Sequence, residues 1–349
     1  MINQKLDIAA IRHALKTALA ASMSMYFCEL LGLPQGYWAV ITVVIVMQSH
    51  SGGSIGAAWS RILGTLSGAA TGVVMLMLFG REIWPMGLSI FISVFAAVYL
   101  SRYHESFRLA AITASIVIMI GGENPLAAGI SRILEITVGI AITLMVSLFL
   151  WPSKASDALI LGISKVFDRS AELFQALTQC LMVAECDDVK IAELRVKLNG
   201  EIQINTSLFA HYLREPGRFS VQAFEFSTVL DAQRRIYEIL ISMGYSSMGA
   251  ERDGFQREFI AEIAAMTDAI VDAFQILTAA ISANAGDKRF PELNAAAAAI
   301  DNRRLELRKT NEALKHSIDD VAHFIAFSFS LKELAVELNA LRKYLQIPE

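Results

Sequence analysis

The sequence predicts an all-α protein: a six-span transmembrane domain with an inverted 3+3 repeat, followed by a cytoplasmic helical bundle. Three observations predict it. First, the chain has 349 residues and is 54% hydrophobic, with a mean hydropathy of +0.47, too apolar for an ordinary soluble protein. Second, a shift of 71 residues lays one part of the first half on another: Ala39, Ile41, Thr42, Ile45 and Val46 fall on Ala110, Ile112, Thr113, Ile116 and Val117. Ser60-Arg61-Ile62-Leu63 falls on Ser131-Arg132-Ile133-Leu134, and Gly68 on Gly139, without a gap. Third, the character changes at Ser153, where long apolar runs give way to amphipathic periodicity. These place a membrane domain over 1–152 and a cytoplasmic α-helical domain over 153–349.

The elements follow in order. A basic lead-in (Lys5, Arg12, His13, Lys16) precedes a first span that ends near Leu31, stopped by Gly32 and Pro34. The second is short, Tyr37–Met47, about 16 Å as helix against a hydrocarbon core of about 30 Å. A polar break, Gln48 to Gly53, reads as a turn before a third helix that starts near Ser54 and runs to Phe79. The fourth covers Ile83–Leu100. The fifth, Leu109–Ile120, is short again and ends at Gly121-Gly122. The sixth begins at Asn124-Pro125, an N-cap with proline at the first helical position, and ends at Trp151-Pro152. Helices then follow over about 154–184, 188–214, 219–247, 254–284, 292–316 and 318–346.

Six spans put both termini on one side, and the distribution of Lys and Arg over the loops makes that side the cytoplasm. An odd number of spans per repeat inverts the two copies. Arg61 therefore enters from the cytoplasmic face and Arg132 from the other, each about 10 Å along its helix. Paired short segments in corresponding positions of two halves point to a transport site. Residues 1–152 hold 8 Lys+Arg and 6 Asp+Glu, so the remainder holds 22 and 28, a net charge of −6. An acidic second half argues against nucleic-acid binding. Cys28, Cys180 and Cys186 have no metal-binding spacing, and a reduced compartment is the simplest reading. No cleavable leader, no nucleotide loop, no metal cluster and no nucleophile elbow is expected, hence no cofactor and no enzyme.

Arg61 and Arg132 are expected to bind a substrate carboxylate, because a planar guanidinium stays charged and takes a carboxylate in a bidentate pair. The alternative is that each snorkels to the headgroups. Tyr37 and Trp38 either stack on an aromatic ring or belong to an interfacial belt. Thr42 and Thr113, equivalent under the shift, join the substrate-contacting set. Glu29, Glu135 and His50 are the residues that could carry protons; Glu135, one turn after Arg132, would equally neutralise it. Gly64, Gly68 and Gly72 form a packing face.

Tyr37-Trp38-Ala39-Val40-Ile41-Thr42 and Arg61-Ile62-Leu63-Gly64-Thr65-Leu66-Ser67-Gly68 resemble the two signature stretches of the fusaric-acid-resistance-like family, also called the aromatic acid exporter family. The resemblance covers about 8–152, and loosely the tail through Leu213-Arg214-Glu215-Pro216-Gly217. It implies efflux of aromatic carboxylic acids or related compounds across a bacterial inner membrane, often with a periplasmic adaptor. The plant malate channels are distant relatives of that family with the same six-span plan. Larger members carry two such halves per chain, so a single half implies a homodimer.

Overall fold

In the computed structural model, residues 8–121, 124–183, 186–215, 220–247, 254–282 and 289–348 are described, 220–225 for the backbone alone. Lys5, Gly122, Glu185, Pro216, Gly217, Gly249 and Gly286 lie outside the described residues. The regular elements of the described residues are all helical: α1 (Ile8–Leu30), α2 (Tyr37–Val46), α3 (Ser51–Phe79), α4 (Ile83–Leu100), α5 (Ser106–Ile120), α6 (Pro125–Phe149), α7 (Ala155–Val183), α8 (Asp188–Tyr212), α9 (Ser220–Ser247), α10 (Ile260–Ile281), α11 (Leu293–Lys309) and α12 (Ile318–Tyr344). Two compact units form, one of Met1–Ala155 with His211–Gly217, the other of Ser156–Ala210 with Arg218–Glu349.

Within the first unit, α3 and α6 are antiparallel. Gly129 lies against Val73 at one end, and Ser147 hydrogen-bonds Ser54 at the other. Glycine allows the closest crossings. A Cβ on Gly68 would stand 2.4 Å from the Ala110 carbonyl oxygen and 2.7 Å from Thr113 Cβ; one on Gly139 would stand 2.6 Å from the Ala39 carbonyl and 3.0 Å from Thr42 Cβ. Each contact is the other moved by 71 residues: α3 packs on α5 as α6 packs on α2. Gly64 and Gly72 extend the first crossing along α5. The small core between these helices joins Val43, Met47, Ile142 and Val146 with Ala20 of α1. The Lys16 ammonium of α1 donates to the Trp151 carbonyl at the end where α6 finishes.

α3 begins three residues earlier than its sequence suggests. Ser51, Gly52 and Gly53 are its buried first turn, not a turn ahead of it, and His50 stands at the N-cap. The segment 211–215 packs on these residues: a Cβ on Gly52 would meet the His211 carbonyl oxygen at 1.9 Å. Ser54, instead of capping, accepts from the Gln48 N–H at 2.9 Å. α6 starts as expected, with Asn124 accepting from the Ala127 N–H. Among the described residues, four segments are long and apolar enough to cross a membrane: Ser51–Phe79, Ile83–Leu100, Pro125–Phe149 and Phe255–Ile281. α2 and α5 are shorter apolar helices, and α1 carries Arg12 and Lys16 in its first half. α4 is exposed along most of its length, with Phe91, Phe95 and Tyr99 stacked at 6.2 and 6.4 Å.

The second unit is built round one apolar core that includes Phe167, Phe174, Phe259, Phe274 and Phe324. The Phe255–Ile281 segment, which sequence reading took as an ordinary bundle helix, turns its aromatic and aliphatic face into that core. It opens with a short 3₁₀ turn over Phe255–Phe259. Cys180 and Cys186 are joined in a disulfide, a pairing the sequence reading did not expect. Cys28 is free and buried.

Candidate functional site

The α1–α2 corner and the first turns of α6 meet around Arg132. Its Nη1 pairs with Glu135 Oε2 at 3.0 Å, its Nη2 donates to Gln35 Oε1 at 2.6 Å, and its guanidinium carbon lies 4.4 Å from the Trp38 ring centroid. Glu135 is fully buried and also accepts from the Gln35 backbone N–H at 3.1 Å. Tyr37, half-exposed, donates its hydroxyl to Gln35 Oε1. Arg132 thus has a counter-charge, an amide and a ring, while its Nε is buried without a hydrogen-bond partner. It borders a cavity of about 70 Å³ lined by Pro34, Gln35, Ile116, Ala128 and Ser131 among others.

Arg61 is different. It is 1% exposed, and its Nε and Nη1 have no hydrogen-bond partner. Among the described residues no carboxylate pairs with it, while it feels the charge of Arg132. A desolvated guanidinium without a counter-ion is costly. From the antiparallel pairing of α3 and α6, Arg61 and Arg132 sit about 12 Å apart along the helix axes, each approached from a different end of the unit.

A larger cavity, about 330 Å³, lies at the end where α3 begins. Its walls include Ile45, Ala57 and Ser60, which are the 71-residue counterparts of Ile116, Ala128 and Ser131 around the smaller one. The two cavities are therefore lined by corresponding residues of the two shifted stretches.

The remaining sequence-derived residues fall as follows. Thr42 and Thr113 are buried at the equivalent glycine crossings; the Thr42 hydroxyl has no partner and that of Thr113 bonds the Leu109 carbonyl. Gly64, Gly68 and Gly72 face α5. His50 is half-buried near His211 and His13. Glu29 is exposed at the end of α1 and is not among the partners of Arg132. Gln35 was missed by sequence reading. Its signal was a polar residue beside Pro34 at the start of a span too short to cross alone.

Removing the Glu135 charge strands Arg132 in an apolar setting. Glu135→Ala is expected to cost about 3–5 kcal/mol, and the double change Arg132→Met with Glu135→Leu to recover most of it. Thermal unfolding of the detergent-solubilised proteins measures both; equal losses in single and double variants would refute this account.

The profile of the fusaric acid resistance protein family matches residues 10–342. The chain belongs to this family. Among curated relatives, a UPF0421 protein of Oceanobacillus iheyensis is 24% identical over 168 residues, 48% of each chain. Aluminum-activated malate transporter 10 of Arabidopsis thaliana is 26% identical over 196 residues, 50% of this chain and 38% of its own. The p-hydroxybenzoic acid efflux pump subunit AaeB of Yersinia pestis is 27% identical over 200 residues, 51% of this chain and 30% of its own. The chain thus spans about half or less of the length of these relatives. Two of the three names are those of transport proteins, and none is that of an enzyme.

One pH effect follows from the corner where 211–215 packs on α3. His211 lies outside the apolar helices; burial, then the Arg214 charge, hold its imidazole below the ordinary value of 6.5, against a smaller pull from Glu215. His50 also faces it, and Glu105 and Arg108 line the same cavity. Between the lowered value and 6.5, the undocked segment binds more protons than the docked one. Docking is therefore fully retained above that window and weakens as pH falls through it. Hydrogen exchange at 211–215, corrected for intrinsic rates, should be faster at about pH 5.5 than at about pH 7.5; equal protection would contradict it.

Proposed function

We propose that this chain is an inner-membrane secondary transporter that exports aromatic or related hydrophobic organic anions, driven by the proton-motive force. The observation that carries the reading is Arg61: a buried guanidinium with two unpaired N–H edges and no described counter-ion. Family membership and the names of the efflux-pump and malate-transporter relatives support an organic anion as its occupant. Trp38 and Tyr37 would contact the ring near Arg132, and Thr42 and Thr113 would offer hydroxyls at the two crossings. The reciprocal packing of Gly68 and Gly139, the antiparallel α3 and α6, and the matched cavities support an inverted 3+3 repeat, with one mouth on each face of the bilayer. The loop charges favour cytoplasmic termini, and the aromatic core of the second unit favours a helical bundle outside the lipid. A homodimer completes the reading, with a periplasmic adaptor as its further partner.

A second reading has an observation of its own. Among the described residues of the first unit, Glu135 is the one buried carboxylate, and it is held by Arg132 and Gln35; Glu29 is exposed and His50 half-buried. A shortage of free proton carriers favours a passive organic-anion channel. Liposomes containing the purified protein and loaded with p-hydroxybenzoate separate the two. Uphill movement that depends on an imposed pH gradient supports the coupled exporter. Strictly downhill movement with unitary current steps supports the channel. No flux of this or any related anion would sink both.

A further inference from the structure

The larger cavity holds charges that the Arg61 site does not account for. Arg108, from the first turn of α5, and Arg214, from the segment after α8, both line it, together with Glu105, His211, Gln48 and Ser60. All of these belong to the first unit. Neither arginine forms an ion pair with a described residue, and both are exposed at the rim. Arg214 reaches the cavity because α3 is bare there: a Cβ on Gly56 would stand 2.6 Å from Arg214 Nη1. His211 lies over Gly53 with its Nδ1 buried and unpartnered. The α3 face that floors the cavity is Gly53, Gly56, Ala57 and Ser60. Helical spacing puts Arg61 one turn beyond Ala57 on the same side, about 6 Å deeper. The smaller cavity, at the other end, has Pro34 where this one has Glu105 under the 71-residue shift, and Arg132 is its single cation. The chain segment 211–215 thus makes the two ends unequal, adding a guanidinium and an imidazole to one of them.

We infer that this cavity is a second anion subsite, a mouth in which Arg108 and Arg214 gather a carboxylate from solution one helical turn ahead of Arg61. Two guanidiniums against one carboxylate, in a recess that Ile45, Ala57 and Leu109 wall in part, concentrate anions and repel cations. The mouth is useful only if Arg61 is an anion site, so the inference rests on the transport reading. Segment 211–215 is a wall of the mouth, so its docking on Gly52, Gly53 and Gly56 sets the local charge.

The test reads the cavity without reference to transport. Ser60→Cys in the full-length purified protein places a thiol on the cavity floor; Cys28 is buried and the other two cysteines are paired. Its reaction with an anionic and a cationic methanethiosulfonate, each forming a mixed disulfide and releasing methanesulfinate, is followed by mass spectrometry. Rates are normalised to those with a small free thiol. The anionic reagent should be favoured by about tenfold or more, and Arg108→Gln with Arg214→Gln should bring the ratio to about one. Arg102→Gln, in the same corner but stacked on Tyr99, should leave it unchanged. A ratio at or below one in the parent, a ratio unmoved by removing both arginines, or no reaction with either reagent overturns the inference. Arg61→Gln, measured separately for p-hydroxybenzoate flux, judges the transport reading: loss of flux with no charge preference at the introduced thiol would remove the mouth and leave the Arg61 site standing.

Discussion

Arg61→Met is expected to abolish organic-anion flux and to raise the unfolding temperature in the same preparation. The two effects have one cause. Arg61 is the largest fully buried side chain of the first unit, and nothing described neutralises it. Burying a charge without a partner costs several kcal/mol, whereas a well-packed apolar side chain of similar volume often stabilises by about 1–4 kcal/mol. Methionine fills the space and removes that cost. It also removes a guanidinium able to take a carboxylate in a forked pair. Arg61→Lys should be intermediate, retaining charge but losing the fork. Flux in liposomes and thermal unfolding in detergent, measured on one batch, decide the matter. A variant that is both less stable and still active would mean that Arg61 is a structural residue with an unseen partner.

The second large effect concerns the glycine crossings. Gly68→Ala and Gly139→Ala are each expected to cost about 1–3 kcal/mol, and nearly the same amount as each other. The added methyl would sit 2.4 Å from the Ala110 carbonyl oxygen in one case and 2.6 Å from that of Ala39 in the other. Both obstacles are backbone, so neither can swing aside. The equivalence matters as much as the size, because it follows from two crossings being copies. Gly87→Ala is the internal control: nothing lies within 4 Å of its Cβ position. It should gain up to about 1 kcal/mol, as expected for replacing glycine inside a helix. Thermal unfolding of the three single variants tests the set. A harmless Gly68→Ala beside a damaging Gly139→Ala would break the correspondence between the two stretches.

Much of the fold was legible because helix ends are local events. Asn124-Pro125 starts α6 through a cap and a preset backbone angle, and Gly80 ends α3 at a positive φ. Such signals are complete within a few residues. The start of α3 was not legible for the opposite reason. Two adjacent glycines are poor helix formers by themselves, and they hold a helical turn where a segment some 160 residues away packs on their bare backbone. The family signatures at Tyr37–Thr42 and Arg61–Gly68 were likewise local, and the family profile agrees with them.

By itself the sequence determined the helical character, the 71-residue correspondence and the presence of one arginine in each matched stretch, because periodicity and spacing are properties of the chain. Only the tertiary structure decided that these two arginines are unlike. Arg132 is neutralised by Glu135 on its own helix and held by Gln35, 97 residues away, and by the Trp38 ring, its Nε alone lacking a partner. Arg61 has an equivalent position in the pattern and no such company. Compensation of a charge acts through space, so it depends on which corner of the chain folds against it, and no repeat in the sequence records that.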